Sequence, residues 1–388
     1  MRLNIVHGFF LPVPPISGGA TEKSWYRLGR EFAARGHEVT MFSRRWRNLP
    51  HTETREAVRH IRLPGRDHTR SLWRNLLLDF LWSWRVHRAL PPADITVVNT
   101  VALPVWLGRL KPSAGRVVIM TGRIPKGQYR HYRRIARVVA ASTHVRDLVA
   151  AENPALAPVS RIYGYPIDCS LLRAGSASPH PFIPAAVPGE LTLGYVGRLH
   201  EEKGLLLLAD ALKLAGADRA LPPWRVLLCG PADVARGGSG PDFRLRLLQR
   251  LSAALGPERV HVIEPQFNER ALAGLYRSLD VFCYPSLAEK GETFGVSVAE
   301  AMAAGAAPVV SRLGCFSDFV QDGRNGLVFD HQASDAAGRL AGCITRLLRD
   351  AGLRRRLAAA AREATRRYDY PVFAAALLAD FAGLLRGD

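Results

Sequence analysis

The feature that most limits the folds open to this chain is an alternation that runs, stops once, and runs again. Short apolar, β-branched runs such as "LNIVHGF", "HEVTMFSRR", "ITVVNT", "RVVIMTG" and "RIARVVAAS" are separated by stretches of helical spacing. In "TEKSWYRLGREFAARG" the apolar positions Trp25, Leu28 and Phe32 fall on one helical face, and Gly36 ends the pattern. Around "YGYPIDCSLLRAGSASPHPFIPAAVPGE" the periodicity dissolves into Pro, Ser and Ala. It restarts with "LTLGYVGRL", "WRVLLCG", "RVHVIEP", "VFCYPS", "APVVSR" and "GLVFD". Strand–helix alternation is the pattern of a doubly wound parallel sheet. A chain of 388 residues is also too long for one ordinary core. The sequence therefore predicts two α/β domains, at 1–168 and 188–365, a linker at 169–187, and a separate helix within 366–388.

Two facing sheets of this kind leave a cleft, and ligands in such sheets bind beyond the carboxyl ends of the strands. The loops that follow strands are therefore the candidate site. In "YVGRLHEEKG", Arg198 and Lys203 lie five residues apart and can reach one anion, the first as a fork and the second as a point charge; two solvated cations are the plain alternative. In "ISGGA", Gly18 and Gly19 let the backbone approach a ligand, although turn geometry explains most such pairs. The stretch "EKGETFGVSVAEAMAAG" passes from a polar loop into a helix that starts near Gly295. Its first amides suit phosphate oxygens, Glu292 suits sugar hydroxyls, and Glu300 suits a ribose diol; a carboxylate favoured by the helix dipole plus one exposed helical Glu is the plain alternative. Neither a G-x-G-x-x-G nor a G-x-x-x-x-G-K-[ST] pattern is present, which disfavours a dinucleotide dehydrogenase or a P-loop enzyme.

Charge separates the two halves. Residues 1–168 carry 27 Lys and Arg against 11 Asp and Glu, a net of +16, and the remainder nets +3. Such asymmetry points to a polyanionic partner or an anionic membrane surface, with arginine-rich usage as the plain alternative. Cations mix with aromatic and aliphatic residues in "RSLWRNLLLDFLWSWRVHRAL" (70–90) and "GRIPKGQYRHYRRIAR" (122–137). Both fit peripheral membrane docking, and for 70–90 a buried helix whose tryptophans are core is the plain alternative. No nucleic-acid motif accompanies the basic residues, so a nucleic-acid partner is not expected. Five scattered cysteines, no run long enough for a membrane span and no cleavable-signal pattern at "MRLNIVHGFF" lead to a cytoplasmic expectation, with room for peripheral attachment to the inner membrane face.

Taken together, "GRLHEEKG", "ETFGVSVAEAMAAGAAPVV" and "DGRNGLVF" resemble the retaining glycosyltransferases of family 4, whose E-x7-E signature is matched by Glu292 and Glu300. The first half is similar more loosely, through "SGGATEKSWYRLGREFAARGHEVTMFS" and "RVVAASTHVRDLV". The resemblance implies the GT-B fold: two facing Rossmann-like α/β domains with a C-terminal crossing helix that packs back on the first domain. It implies that Arg198 and Lys203 neutralise a donor diphosphate and that Glu292 holds the donor sugar with the amides of Thr293, Phe294 and Gly295. Val296 and Ser297 would cap the phosphate, Glu300 would take the ribose, and Gly18 and Gly19 would close over the phosphates. Gln266, in "EPQF", would lie by the nucleobase. The sequence departs from the family where "IMTGRIPKG" offers Arg123 and Lys126 in place of a His, and where "YGYPID" replaces the usual "NGVD". Both departures fall on the acceptor side.

The implied reaction moves a hexosyl unit from a nucleotide sugar, a UDP-sugar or GDP-mannose with a lean to UDP, to an acceptor hydroxyl with retention. The acceptor expected is a glycan or glycolipid. No D-x-D pair accompanies the site, so neither metal nor another cofactor is expected. An epimerase or hydrolase on the same fold, or a non-catalytic polyanion-binding protein, are the competing readings.

Overall fold

The computed structural model describes residues 1–16, 19–175 and 183–387. The chain divides into two compact units, Met1–Pro166 with Tyr370–Asp388, and Ile167–Asp369. In the first, eight strands form one sheet: β1 (Arg2–Val6), β2 (Glu38–Arg44), β3 (Thr52–Arg55), β4 (Val58–Leu63), β5 (Ile95–Val98), β6 (Arg116–Thr121), β7 (Ile135–Ala140) and β8 (Ser160–Ile162). Their order is β3-β4-β2-β1-β5-β6-β7-β8. Every pairing is parallel except β3 with β4. All four residues of β5 are buried, as expected of a central strand covered on both faces.

The antiparallel edge hairpin is absent from the expected strands. Its pairing places Arg55 opposite Val58, so Glu56 and Ala57 make the turn, and both take left-handed backbone angles (φ 51° and 60°). Such turns normally use Asn-Gly. Here tertiary contacts hold the turn instead: Glu56 accepts a hydrogen bond from the Tyr26 hydroxyl at 2.9 Å and pairs with Arg30 at 2.7 Å.

The helix Ala20–Ala34 buries Trp25, Leu28 and Phe32, the face that its spacing predicts. The C-terminal helix Tyr370–Arg386 belongs to this same unit. Phe381 meets Phe32 edge to face at 6.3 Å, and Asp380 takes two bonds from the Arg137 guanidinium, at 2.8 and 2.7 Å.

The second unit carries β9 (Leu191–Val196), β10 (Trp224–Cys229), β11 (Val260–Ile263), β12 (Val281–Tyr284), β13 (Ala307–Ser311) and β14 (Leu327–Phe329). Their order is β11-β10-β9-β12-β13-β14 and all pairs are parallel. The winding reverses between β9 and β12, and a crevice opens beyond the carboxyl ends of strands at such a point. The boundaries differ slightly from the expected ones. Ile167 and Asp168 lie in the second unit, because the Ile167 amide donates to the Tyr368 carbonyl at 2.8 Å and the Asp168 carboxylate caps a short helix, Cys169–Arg173. That helix stands at the start of the stretch read as linker. Among the described residues, no helix is long and apolar enough to cross a membrane.

Candidate functional site

Two loops meet at the reversal point of the second unit: one after β9, carrying Arg198 and Lys203, and one after β12, carrying Glu292. Lys203 ends a short 3-10 turn, Glu201–Lys203, capped by His200 and followed by Gly204. Gly204 has φ 66°, and a Cβ there would lie 2.0 Å from the Pro285 carbonyl oxygen. Only glycine permits that approach of the two loops, and the approach sets Lys203 beside Glu292.

The ammonium of Lys203 donates to Glu292 Oε2 at 2.7 Å, and the pair is largely withdrawn from solvent. The Tyr284 hydroxyl and Ser286 Oγ donate to the same oxygen, at 3.2 and 3.3 Å. Three donors thus lock one carboxylate oxygen. Oε1 accepts none of the hydrogen bonds found among the described residues, and is the atom left for a ligand hydroxyl. Burial pushes the Tyr284 hydroxyl well above the ordinary phenol range, with the Glu292 charge adding to it, so this donor stays protonated. Tyr195 stacks on Tyr284 at 5.6 Å and donates to the Arg198 carbonyl at 2.8 Å, which anchors the loop that bears Arg198.

Arg198 is half-exposed. Its guanidinium donates to the Gly237 carbonyl and to Glu202 Oε1, each at 2.8 Å. Glu202 Oε1 also lies 3.7 Å from Lys203 Nζ. One carboxylate oxygen therefore faces both cations, where an anionic ligand would otherwise sit.

The helix Val296–Ala304 begins in the same region. Gly295 caps it with left-handed geometry (φ 87°) and supplies no side-chain acceptor. A Cβ on Gly295 would come within 2.5 Å of the Phe316 ring. The first-turn amides of Val296 and Ser297 have no partner within the helix, and they carry the positive end of its dipole. The Phe294 side chain is buried between Phe319 and Tyr368, with ring centroids 4.7 and 5.1 Å away, so only its backbone faces outward chemistry. Thr293 precedes it and is half-buried. Glu300, one helical stretch further on, accepts from the Tyr276 hydroxyl at 2.9 Å. Gln266 is half-buried and bonds its own loop, Nε2 to the Glu264 carbonyl at 2.9 Å. Next to it, Phe267 lies exposed beneath the Arg236 guanidinium, 5.0 Å from the ring centre.

The structure thus gathers Arg198, Lys203, Glu292 and Gly295–Ser297 within the second unit. Gly19, Arg123 and Lys126 belong to the first, and Gly18 lies outside the described residues. There, burial raises the Glu22 carboxyl, while the Arg123 charge pulls the other way. A Cβ on Gly19 would fall 2.3 Å from a Glu22 carboxylate oxygen, so Glu22 sits against both expected residues. Arg123 and Lys126 are exposed. Among the described residues, no group of three or more His, Cys, Asp or Glu gathers as a metal-ligand set.

Sequence reasoning missed Tyr195, Tyr284, Ser286 and Glu202. The signal available was a tyrosine at or near the end of each of two buried strands, "LTLGYV" and "VFCY".

The second of the two doubly wound α/β units thus holds cations, a fixed carboxylate and a helix start at its reversal point. Residues 179–364 match the family of glycosyl transferases group 1, and the chain belongs to that family over those residues. A D-inositol 3-phosphate glycosyltransferase of Xylanimonas cellulosilytica is 31% identical over 297 residues, 74% of this chain and 66% of that protein. A phosphatidyl-myo-inositol mannosyltransferase of Mycobacterium tuberculosis is 30% identical over 287 residues, 73% of this chain and 64% of its own length. The chain thus spans about two thirds of these two relatives. The fold is GT-B. A sucrose-phosphate synthase from Thermosynechococcus elongatus superposes with a TM-score of 0.75 at 20% identity, over the whole of both chains. An Anabaena protein solved with UDP and glucose superposes with a TM-score of 0.70 at 16% identity, over 99% of this chain and 100% of its own.

Proposed function

We propose that the protein transfers a hexosyl unit from a nucleotide diphosphate sugar to an acceptor hydroxyl, with retention at the anomeric carbon. The observation that carries this reading is the Lys203–Glu292 pair, with one carboxylate oxygen held by three donors and the other left to a ligand. Arg198 and Lys203 neutralise the departing diphosphate, and the amides of Val296 and Ser297 bind its oxygens. Glu292 orients the donor sugar, and Glu300 reads the ribose. Two cations and a helix start supply the charge that a divalent ion would otherwise bring, so the reaction proceeds without metal. UDP is the leading donor nucleotide and GDP the second.

The first unit supplies the acceptor contacts. Its excess of cations fits a phosphate-bearing acceptor, and two relatives are named for inositol phosphate and phosphatidyl-inositol. A lipid-linked or cell-envelope glycan meets the same chemistry. The protein would then work peripherally, at the cytosolic face of a membrane.

The test is a panel of nucleotide sugars offered to EDTA-treated protein, with product analysis by mass spectrometry. Transfer to an inositol phosphate or glycolipid that persists in EDTA is the expected result. Activity lost in EDTA and restored by magnesium or manganese would refute metal independence. Donor turnover with no acceptor dependence would instead favour an epimerase or hydrolase, and a function untouched by Glu292→Ala would favour a binding protein.

A further inference from the structure

We infer that the outward face of the helix Leu72–Ala89 is a docking surface for an anionic lipid bilayer. This helix is apolar on two opposite sides. Its inner side, with Trp82, Ser83 and Val86, is buried in the core of the first unit, and the Trp82 ring nitrogen donates to the His7 carbonyl at 3.0 Å. Its outer side carries Trp73, Leu77, Phe80 and Trp84, which recur at steps of four, three and four and so form one stripe. These residues are 80%, 57%, 48% and 40% exposed. Leu72, Leu76 and Leu81 widen the stripe. Phe80 meets Trp106 edge to face at 5.5 Å, which joins the stripe to the helix Leu103–Leu110, where Val105 and Leu110 are also exposed. A surface helix ordinarily turns polar residues outward, and an apolar face of this size marks an interaction site.

Charge selects the occupant. Arg70, Arg74, Arg85, Arg88 and Arg109 border the patch, and all are exposed. The one acid on the helix, Asp79, is buried and accepts from the Val101 and Ala102 amides at 3.1 and 2.7 Å, so it adds nothing to the outer face. A second copy of the chain would bring two such arginine borders together and be repelled. An anionic lipid surface satisfies both features: headgroups meet the arginines, and the tryptophans at either end of the stripe lie at the headgroup level with Leu77 and Phe80 between them.

The test is co-sedimentation of the full chain with vesicles of phosphatidylcholine alone and of phosphatidylcholine mixed with phosphatidylglycerol, at low and high salt. Binding to the mixed vesicles, weakened by salt, is expected. The double substitution Trp73→Ser, Leu77→Ser should reduce partitioning by more than about tenfold, and Arg74→Gln by about fivefold. Both changes sit on exposed positions, so the melting temperature should hold. Quenching of the wild-type tryptophan emission by brominated acyl chains should accompany binding. Indifference to lipid charge and salt, or unaltered partitioning of the double variant, would overturn the inference. So would self-association that the same double variant abolishes, which would place a second copy on this face.

Discussion

The two units are wound alike but differ in where their chemistry lies. In the second, nearly everything that touches the candidate site comes from two short loops and one helix start, and the key groups are buried and mutually bonded. In the first, the notable groups are dispersed: an excess of cations, a buried Glu22, and an aromatic stripe turned to solvent. Under the proposed function, the difference means that a nucleoside diphosphate is met by local backbone geometry with a few fixed charges. An acceptor or a surface is met by a broad field of side chains.

The sharpest way to break that comparison is to exchange residues in each unit. Glu292→Gln should lower transfer roughly a thousandfold through kcat, as expected for loss of a preorganised electrostatic contact. Lys203→Ala should do the same and also destabilise the second unit by about 3–5 kcal/mol, because it leaves Glu292 buried and unpaired. Arg123→Gln, exposed in the first unit, should leave the melting temperature unchanged and act on the acceptor KM. Steady-state kinetics with a thermal melt distinguish these cases; equal kcat losses from both units would dissolve the contrast.

Acid should act on the first unit before the second. His7 is buried, and burial followed by the neighbouring His60 pushes it down to about 3. Burial, and then the Arg62 charge, pushes His60 down to about 4. Both are neutral when folded and take up protons when unfolded, so stability is full above about pH 6.5 and falls as pH drops towards 4. The loss approaches about 1.4 kcal/mol per pH unit for each proton. Hydrogen exchange followed by mass spectrometry from pH 7 to 5 should show β1 and β4 losing protection first. Uniform loss across both units would contradict this.

A smaller effect concerns Glu202, which faces both Arg198 and Lys203. Its carboxylate competes with an incoming anion, so Glu202→Gln should tighten UDP binding by about two- to fivefold, the worth of a partly exposed ion pair. Calorimetry that finds weaker binding would show instead that Glu202 holds the two cations in place. The smallest change is expected at the edge of the first sheet. Ala57→Gly relieves a left-handed residue and should raise stability by about 1 kcal/mol in urea unfolding; no gain would mean that the turn is already relaxed.

The same contrast governs what the sequence makes legible. A buried parallel strand such as β12 is readable as an unbroken apolar run, and the loops after β9 and β12 as contiguous residues with unusual composition. The hairpin β3–β4 is hidden because its strands are polar and its turn, Glu56-Ala57, carries no glycine or asparagine. The helix Cys169–Arg173 is too short for periodicity to reveal. Tyr284 and Ser286 act on Glu292 from a strand end and the loop beside it, and nothing in a linear reading separates a hydroxyl that holds a carboxylate from one that fills a core. The stretch 70–90 read equally as core or as surface because it is both: Trp82 faces in, and Trp73 and Trp84 face out.

The central claim is that the second unit binds a sugar-bearing diphosphate between Lys203, Arg198 and the helix start at Gly295. Titration of UDP and GDP into the EDTA-treated protein, with hydrogen exchange read over 197–204 and 292–300, tests it most directly. Saturable binding that protects both loops and is lost in Lys203→Gln is the expected result. Binding that leaves both loops unprotected, or that Lys203→Gln does not weaken, would contradict it.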